Sequence, residues 1–210
     1  MALQREALRL YAVTDRRWLG GRTLVGAVEE ALLGGVTMVQ LREKLLAGEA
    51  LRQEAEALQT VCRRYGVPFL INDDAELCAT LGADGVHVGQ EDMSVGSARA
   101  LLGPERIVGA TAHNVEEALR AEAQGADYLG CGAAFGSRVK TDARPITLSE
   151  YAEITAAVKI PVVAIGGIDA ENISRLRGSG LAGAAVISGI FATKDIRGAA
   201  KRLRAEAEKL

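Results

Sequence analysis

The chain has 210 residues, 49% hydrophobic and 4% aromatic, with 27 acidic and 25 basic side chains for a formal net charge of −2. That length holds one large domain, residues 1–210, and is short for two. Near-neutral, interspersed charge excludes a nucleic-acid footprint, and no apolar run reaches membrane-spanning length. The amino terminus has no apolar signal segment, and Cys62, Cys78 and Cys131 are odd in number without metal-ligand spacing. A reduced, cytoplasmic protein with buried thiols is therefore expected.

Short apolar runs predict strands at Leu8–Val13, Met38–Leu41, Phe69–Ile71, Gly85–Val88, Ile107–Ala110, Tyr128–Cys131, Val162–Ile165 and Ala184–Ile187. Amphipathic segments separate them. Thr23 is placed to cap a helix over Leu24–Leu33 that Gly34 ends. Leu51, Ala55, Leu58, Cys62 and Tyr65 recur at helical spacing across Gly48–Tyr65, where Gly66 and Pro68 stop the helix. A helix-ending glycine before a strand recurs at Gly34, Gly82, Gly125 and Gly180. Eight strands, each followed by a helix, predict an α/β (β/α)₈ TIM barrel. The competing fold, a doubly wound open sheet, usually has a glycine-rich turn after its first strand, whereas here that strand ends Val13-Thr14-Asp15.

In such a barrel the chemistry lies at the carboxyl ends of the strands. Strand two ends Gln40-Leu41-Arg42-Glu43-Lys44, strand three Asn72-Asp73, and strand four runs into Gln90-Glu91-Asp92. Strand five ends Thr111-Ala-His113, and strand six opens a loop with Ser137, Arg138, Val139 and Lys140. Asp73 and Asp92 are candidate ligands for Mg²⁺, which takes oxygen donors and often shares one or two carboxylates with substrate phosphates. Arg42, Lys44 and Lys140 would hold a diphosphate. Asp73 has a competing role as a helix cap, one that Asp74 could fill equally well. After strands seven and eight, Gly166-Gly167 and Ser188-Gly189 match a backbone phosphate site. His87, inside a strand, reads as structural; His113 stands on the rim. Lys44 or Lys140 could form a Schiff base, but lysines among expected phosphates are more economically phosphate ligands.

Taken together, the strings Tyr11-Ala-Val-Thr-Asp15, Gly35-Val-Thr-Met-Val-Gln-Leu-Arg-Glu-Lys44, Ile71-Asn-Asp73, Gly82-Ala-Asp-Gly-Val-His-Val-Gly-Gln-Glu-Asp92 and Ala164-Ile-Gly-Gly-Ile168 with Asn172 resemble thiamine phosphate synthases over nearly the whole chain. The resemblance implies a (β/α)₈ barrel that condenses 4-amino-2-methyl-5-hydroxymethylpyrimidine diphosphate with 4-methyl-5-(2-phosphoethyl)thiazole. It implies Mg²⁺-assisted, dissociative loss of pyrophosphate to a pyrimidine-stabilised carbocation. By matching position, Gln40, Leu41, Arg42, Glu43, Lys44, Asn72, Thr111 and Lys140 would bind the pyrimidine diphosphate, with Arg42, Lys44, Lys140 and Thr111 as catalytic groups. Ser137, Arg138, Val139, Gly167, Ile187 and Ser188 would line the thiazole phosphate site, and Asp73 and Asp92 would hold Mg²⁺. Thr111 replaces the usual Ser and keeps the hydroxyl, whereas Val139 stands at a usual hydroxyl position and forgoes a hydrogen bond worth about 1 kcal/mol. A thiazole tautomerase of the same fold, or a non-catalytic barrel binding phosphorylated ligands, are the alternatives. The expected partners are small phosphorylated molecules, with no nucleic acid and no membrane. Exterior helix faces leave a homo-oligomer open.

Overall fold

The computed structural model describes residues 3–136 and 145–210. Eight parallel strands pair in sequence order and close into a barrel. They are β1 Leu10–Val13, β2 Met38–Leu41, β3 Phe69–Asn72, β4 Gly85–Val88, β5 Ile107–Ala112, β6 Tyr128–Gly132, β7 Val162–Ile165 and β8 Gly183–Val186. The seam joins β1 to β8, with Leu10 opposite Ala184 and Ala12 opposite Val186. The fold is the (β/α)₈ barrel expected from the run of strands and helices.

The pleat sorts each strand into two faces. Leu10 and Ala12 of β1, Val39 and Leu41 of β2, and Phe69 and Ile71 of β3 belong to the outer core beneath the helices. Tyr11, Val13, Met38 and Leu70, from alternate positions, fill the barrel itself. Two cores thus arise from one apolar repeat of period two. The interior must also admit large rings, and glycine makes that possible. A Cβ on Gly109 would stand 2.2 Å from Tyr128 Cζ, and one on Gly130 would stand 3.0 Å from His87 Cε1.

Around the barrel lie α1 Leu24–Leu33, α2 Gly48–Arg64, α3 Ala75–Leu81, α4 Val95–Leu102, α5 Val115–Ala123, α6 Leu148–Ala157, the short α7 Ser188–Phe191, and α8 Ile196–Ala207. Side-chain oxygens start most of them: Thr23 accepts from Gly26 N–H, Ser94 from Ser97 N–H and Asn114 from Glu117 N–H. Such caps satisfy amides that a helix's first turn leaves open. The repeated Gly-Ala-Asp strings serve the opposite end of the barrel. Asp84 accepts from Phe69 N–H at 2.8 Å and Asp127 from Val108 N–H at 2.7 Å, each securing the first residues of a neighbouring strand.

One element departs from the expected pattern. No α-helix follows β7; the connection carries only a 3-10 helix, Ile173–Leu176. Asn172 holds the chain in a tight turn just before it, extended Arg177 ends it, and Gly178 and Gly180 at φ 81° and 78° turn the chain towards β8. The first strand is shorter than expected at its start because Leu8 closes a 3-10 helix, Arg5–Leu8.

Candidate active site

A cavity of about 160 Å³ opens at the carboxyl ends of the strands, above the ring-filled interior. Strand alternation selects its lining. Gln40 and Arg42 of the β2 end face it, as do Asn72 after β3, Thr111 and His113 at the end of β5, and Gly167, Ile187 and Ser188 after β7 and β8. Two residues expected to bind diphosphate have no side chain there. Leu41, 2% exposed, points into the outer core. Glu43 is turned the same way and bound by Arg16, whose Nε donates at 2.7 Å. Burial alone would raise the Glu43 carboxyl, but hydrogen bonds from Leu45 N–H and Arg16 hold it below its ordinary range. In the structure its side chain fastens the β2 loop to Arg16. Ser137, Arg138, Val139 and Lys140 lie outside the described residues.

Arg42 is positioned from the neighbouring strand. Thr14 continues the β1–β2 ladder past its last regular pair: its hydroxyl accepts from Arg42 N–H at 3.0 Å. Asp15, 4% exposed, sets its carboxylate 3.5 Å from Arg42 Nη1. Burial pushes the Asp15 carboxyl up, yet hydrogen bonds from Arg17 and the charges of Arg17 and Arg42 bring it below the usual carboxylate range. The Tyr11–Asp15 string thus ends in a carboxylate that steadies a cation on the adjacent strand.

Lys44, Asp73 and Asp92 stand at the outer edge of this mouth. Lys44 Nζ donates to Asp73 Oδ2 at 2.9 Å. Asp73 does not cap α3; Asp74 does, accepting from Leu77 N–H at 2.8 Å. Asp73 instead has φ 66°, in the left-handed region, the one such non-glycine among the described residues. Its carboxyl lies near enough to that of Asp92 for each to shift the other, and Asp92 itself accepts from Gly89 N–H at 2.8 Å. The two acids respond oppositely. Burial would raise Asp73, but Lys44 and Asp92 hold it below the ordinary value; burial and the Asp73 charge push Asp92 above it.

Two carboxylates in contact need either a shared proton or a cation. Among the described residues no cluster of three His, Cys, Asp or Glu could hold a metal. An ion there would take two protein carboxylates and fill its remaining positions with water or ligand oxygens, which fits magnesium and not a softer metal.

On the far side, Gly166 and Gly167 have φ 103° and 66°. A Cβ on Gly167 would stand 2.6 Å from Gly136 O, so the close approach of two loops requires glycine. Asn172 Nδ2 donates to Gly167 O at 2.8 Å and fixes that turn. His113 Nδ1 pairs with Glu117 Oε2 at 2.8 Å on the rim.

Comparison with known proteins decides the family. The family model described as thiamine monophosphate synthase matches residues 10–190. The chain belongs to the thiamine monophosphate synthase family. Thiamine-phosphate synthase of Syntrophomonas wolfei is 46% identical over 196 residues, covering 93% of this chain and 94% of that protein. The counterpart from Ruminiclostridium cellulolyticum is 44% identical over 194 residues, 92% of each. A solved structure of thiamine phosphate pyrophosphorylase from Pyrococcus furiosus superposes with a TM-score of 0.89 at 40% identity, covering 97% of each chain. Thiamine monophosphate synthases are transferases of thiamine biosynthesis that act on small phosphorylated substrates, and a mouth edged by Arg42 and Lys44 accords with that class. Among the described residues, no helix is long and apolar enough to cross a membrane.

Two cavity residues, Tyr11 and His87, and Tyr128 packed beside them carried no site signal in the sequence. The available clue was alternation. Tyr11 is two residues before Val13, and Tyr128 two before Gly130, so each shares its strand's inward face.

Proposed function

We propose that the chain joins 4-amino-2-methyl-5-hydroxymethylpyrimidine diphosphate to 4-methyl-5-(2-phosphoethyl)thiazole, releasing pyrophosphate and forming thiamine phosphate. The observation that carries this reading is the pairing of Asp73 with Asp92 and with Lys44 Nζ, one residue beyond Asn72, which with Arg42 lines the cavity. Asp73 and Asp92 would hold Mg²⁺, which when bound draws negative charge from the departing diphosphate.

The protein's own groups do the rest. Arg42, steadied by Asp15, and Lys44 bind diphosphate oxygens at the mouth, with Lys140 from the strand-six loop as a third cation. As the C–O bond of the pyrimidine methylene breaks, those cations stabilise the leaving group more than the intact ester. Gln40, Asn72 and Thr111 orient the pyrimidine ring. Gly167, Ile187 and Ser188, with Ser137, Arg138 and Val139, hold the thiazole phosphate so that its ring nitrogen lies against the electron-poor methylene carbon. That nitrogen already has a lone pair, so no protein base is required to create the nucleophile.

The test is direct. Protein, Mg²⁺ and both substrates are incubated, and thiamine phosphate and pyrophosphate are measured by mass spectrometry and a coupled assay. Both products in equal amounts are expected. An isomerised thiazole with no condensation would transfer the assignment to a tautomerase, for which His113 with Glu117 on the rim would be the acid–base pair.

A further inference from the structure

Five side chains from five strands form one line of hydrogen bonds across the barrel. Gln40 Nε2 donates to Tyr11 Oη. Tyr11 Oη lies 2.8 Å from Tyr128 Oη, Tyr128 Oη 2.9 Å from His87 Nδ1, and His87 Nε2 3.1 Å from Thr111 Oγ1. Both ends of the line, Gln40 and Thr111, face the cavity. Its two phenols are shielded from solvent, Tyr11 at 1% exposed and Tyr128 fully buried, while His87 also borders the cavity. The arrangement is built rather than incidental, since a Cβ on Gly109 would collide with the Tyr128 ring and one on Gly130 would crowd His87.

The chemistry of the first donor sets the direction of every later bond. An amide nitrogen carries hydrogens and no accepting lone pair, so Tyr11 Oη accepts from Gln40. The order that gives every group in the line a partner then passes the Tyr11 proton to Tyr128 and the Tyr128 proton to His87 Nδ1. His87 therefore carries its proton on Nε2 and donates it to Thr111 Oγ1. The Thr111 hydroxyl, already accepting, has its own proton left to give. Burial raises both phenols well above their ordinary range, so each remains a proton carrier in this line.

We propose that Tyr11, Tyr128 and His87 are positioning residues that orient Thr111 as a hydrogen-bond donor, and Gln40 Oε1 as an acceptor, toward the heteroaromatic ring bound in the cavity. The ring so recognised offers an accepting ring nitrogen and a donating exocyclic amine. This inference rests on the pyrimidine reading above for the identity of that ring, but the proton order belongs to the protein alone. Reversing one bond reverses all of them, Gln40 included, whose amide would then present its oxygen to Tyr11.

The proton order is read by nitrogen NMR of side-chain ¹⁵N-labelled protein above neutral pH. Only two histidines are present, which makes assignment simple. His87 Nε2 is expected as the protonated nitrogen and Nδ1 as the bare one. Tyr128→Phe cuts the line without changing ring size. It is expected to admit the Nδ1-protonated form and to raise the KM for the pyrimidine diphosphate about five- to tenfold, the equivalent of one hydrogen bond. The kcat should stay within about twofold. Inhibition by inorganic pyrophosphate, which would meet Arg42 and Lys44 and not Thr111, should not move. Thr111→Val should match that KM effect, the double variant should be no worse than Thr111→Val alone, and Thr111→Ser should retain wild-type KM. Tyr11→Phe breaks the same line one link earlier and substitutes for Tyr128→Phe if the latter folds poorly. A wild-type His87 protonated at Nδ1 overturns the proposal. So does an unchanged KM in Tyr128→Phe, or a parallel loss of pyrophosphate inhibition, which would mark general distortion. A wild-type protein that makes no thiamine phosphate fails the functional reading instead, and leaves the His87 tautomer to judge the proton order.

Discussion

Asp73 combines a carboxylate at the mouth with a left-handed backbone, φ 66°, and the two can be separated by paired substitution. Asp73→Gly and Asp73→Ala both remove the carboxylate, the ion pair with Lys44 and the contact with Asp92. They differ in what the backbone asks of them. A Cβ in the left-handed region costs about 1–2 kcal/mol, whereas glycine accepts it freely. Glycine gives back about 0.5–1 kcal/mol through the greater freedom of the unfolded chain. The glycine variant should therefore be more stable than the alanine variant by about 1 kcal/mol, or about 2–4 °C in Tm for a chain of this size. The Lys44 ion pair is half exposed and common to both variants, so it does not enter the difference. Urea melts and thermal melts measure the stability gap, and a continuous pyrophosphate-release assay measures turnover across a magnesium titration. Both variants should lose magnesium-dependent rate by about 100-fold or more. Magnesium with pyrophosphate should raise the Tm of the wild type and of neither variant. Near-wild-type turnover in Asp73→Gly would refute the carboxylate's assigned role, and an alanine variant as stable as the glycine one would refute the backbone argument.

Asp15→Asn should release Arg42 and raise the KM for the pyrimidine diphosphate about tenfold with little change in secondary structure, as steady-state kinetics and circular dichroism will show. Gly109→Ala places a Cβ where Tyr128 now sits, and urea denaturation should report a loss of about 1–3 kcal/mol. Burial pushes the thiols of Cys62, Cys78 and Cys131 up to about 12. The unfolded chain ionises those thiols near about 8.5, so it loses protons first and stability falls as pH climbs from there towards 12. The slope is at most about 1.4 kcal/mol per pH unit for each thiol, and Cys62→Ala should reduce it in melts run at increasing pH. In the native state all three should resist a disulfide-exchange reagent that labels the unfolded chain at once.

The barrel was legible because its strands are short apolar runs ended by polar rim residues, and its helices carry their caps in plain view at Thr23 and Gly34. The missing helix after β7 was not legible. Asn172, Gly178 and Gly180 act there through a turn and two positive φ angles, which apolar periodicity does not register. At the site, the ends of β2, β3 and β5 were readable as polar clusters after strands. A contiguous string hides the pleat: alternation turns the side chains of Leu41 and Glu43 away from the cavity that Gln40 and Arg42 line. The Asp15–Arg42 pairing and the line from Gln40 to Thr111 join residues on different strands, so they emerge only once strand order and register are known.

The barrel interior below the cavity is packed by Tyr11, Met38, Leu70 and Tyr128, so the cavity is a well closed at its floor. Traffic through it is ordered by depth: what lies lowest arrives first and departs last. On the proposed reading, a ring held nearest the tyrosines would load before anything held at the rim, and diphosphate released at the lip would have an exit that does not wait on the product beneath it.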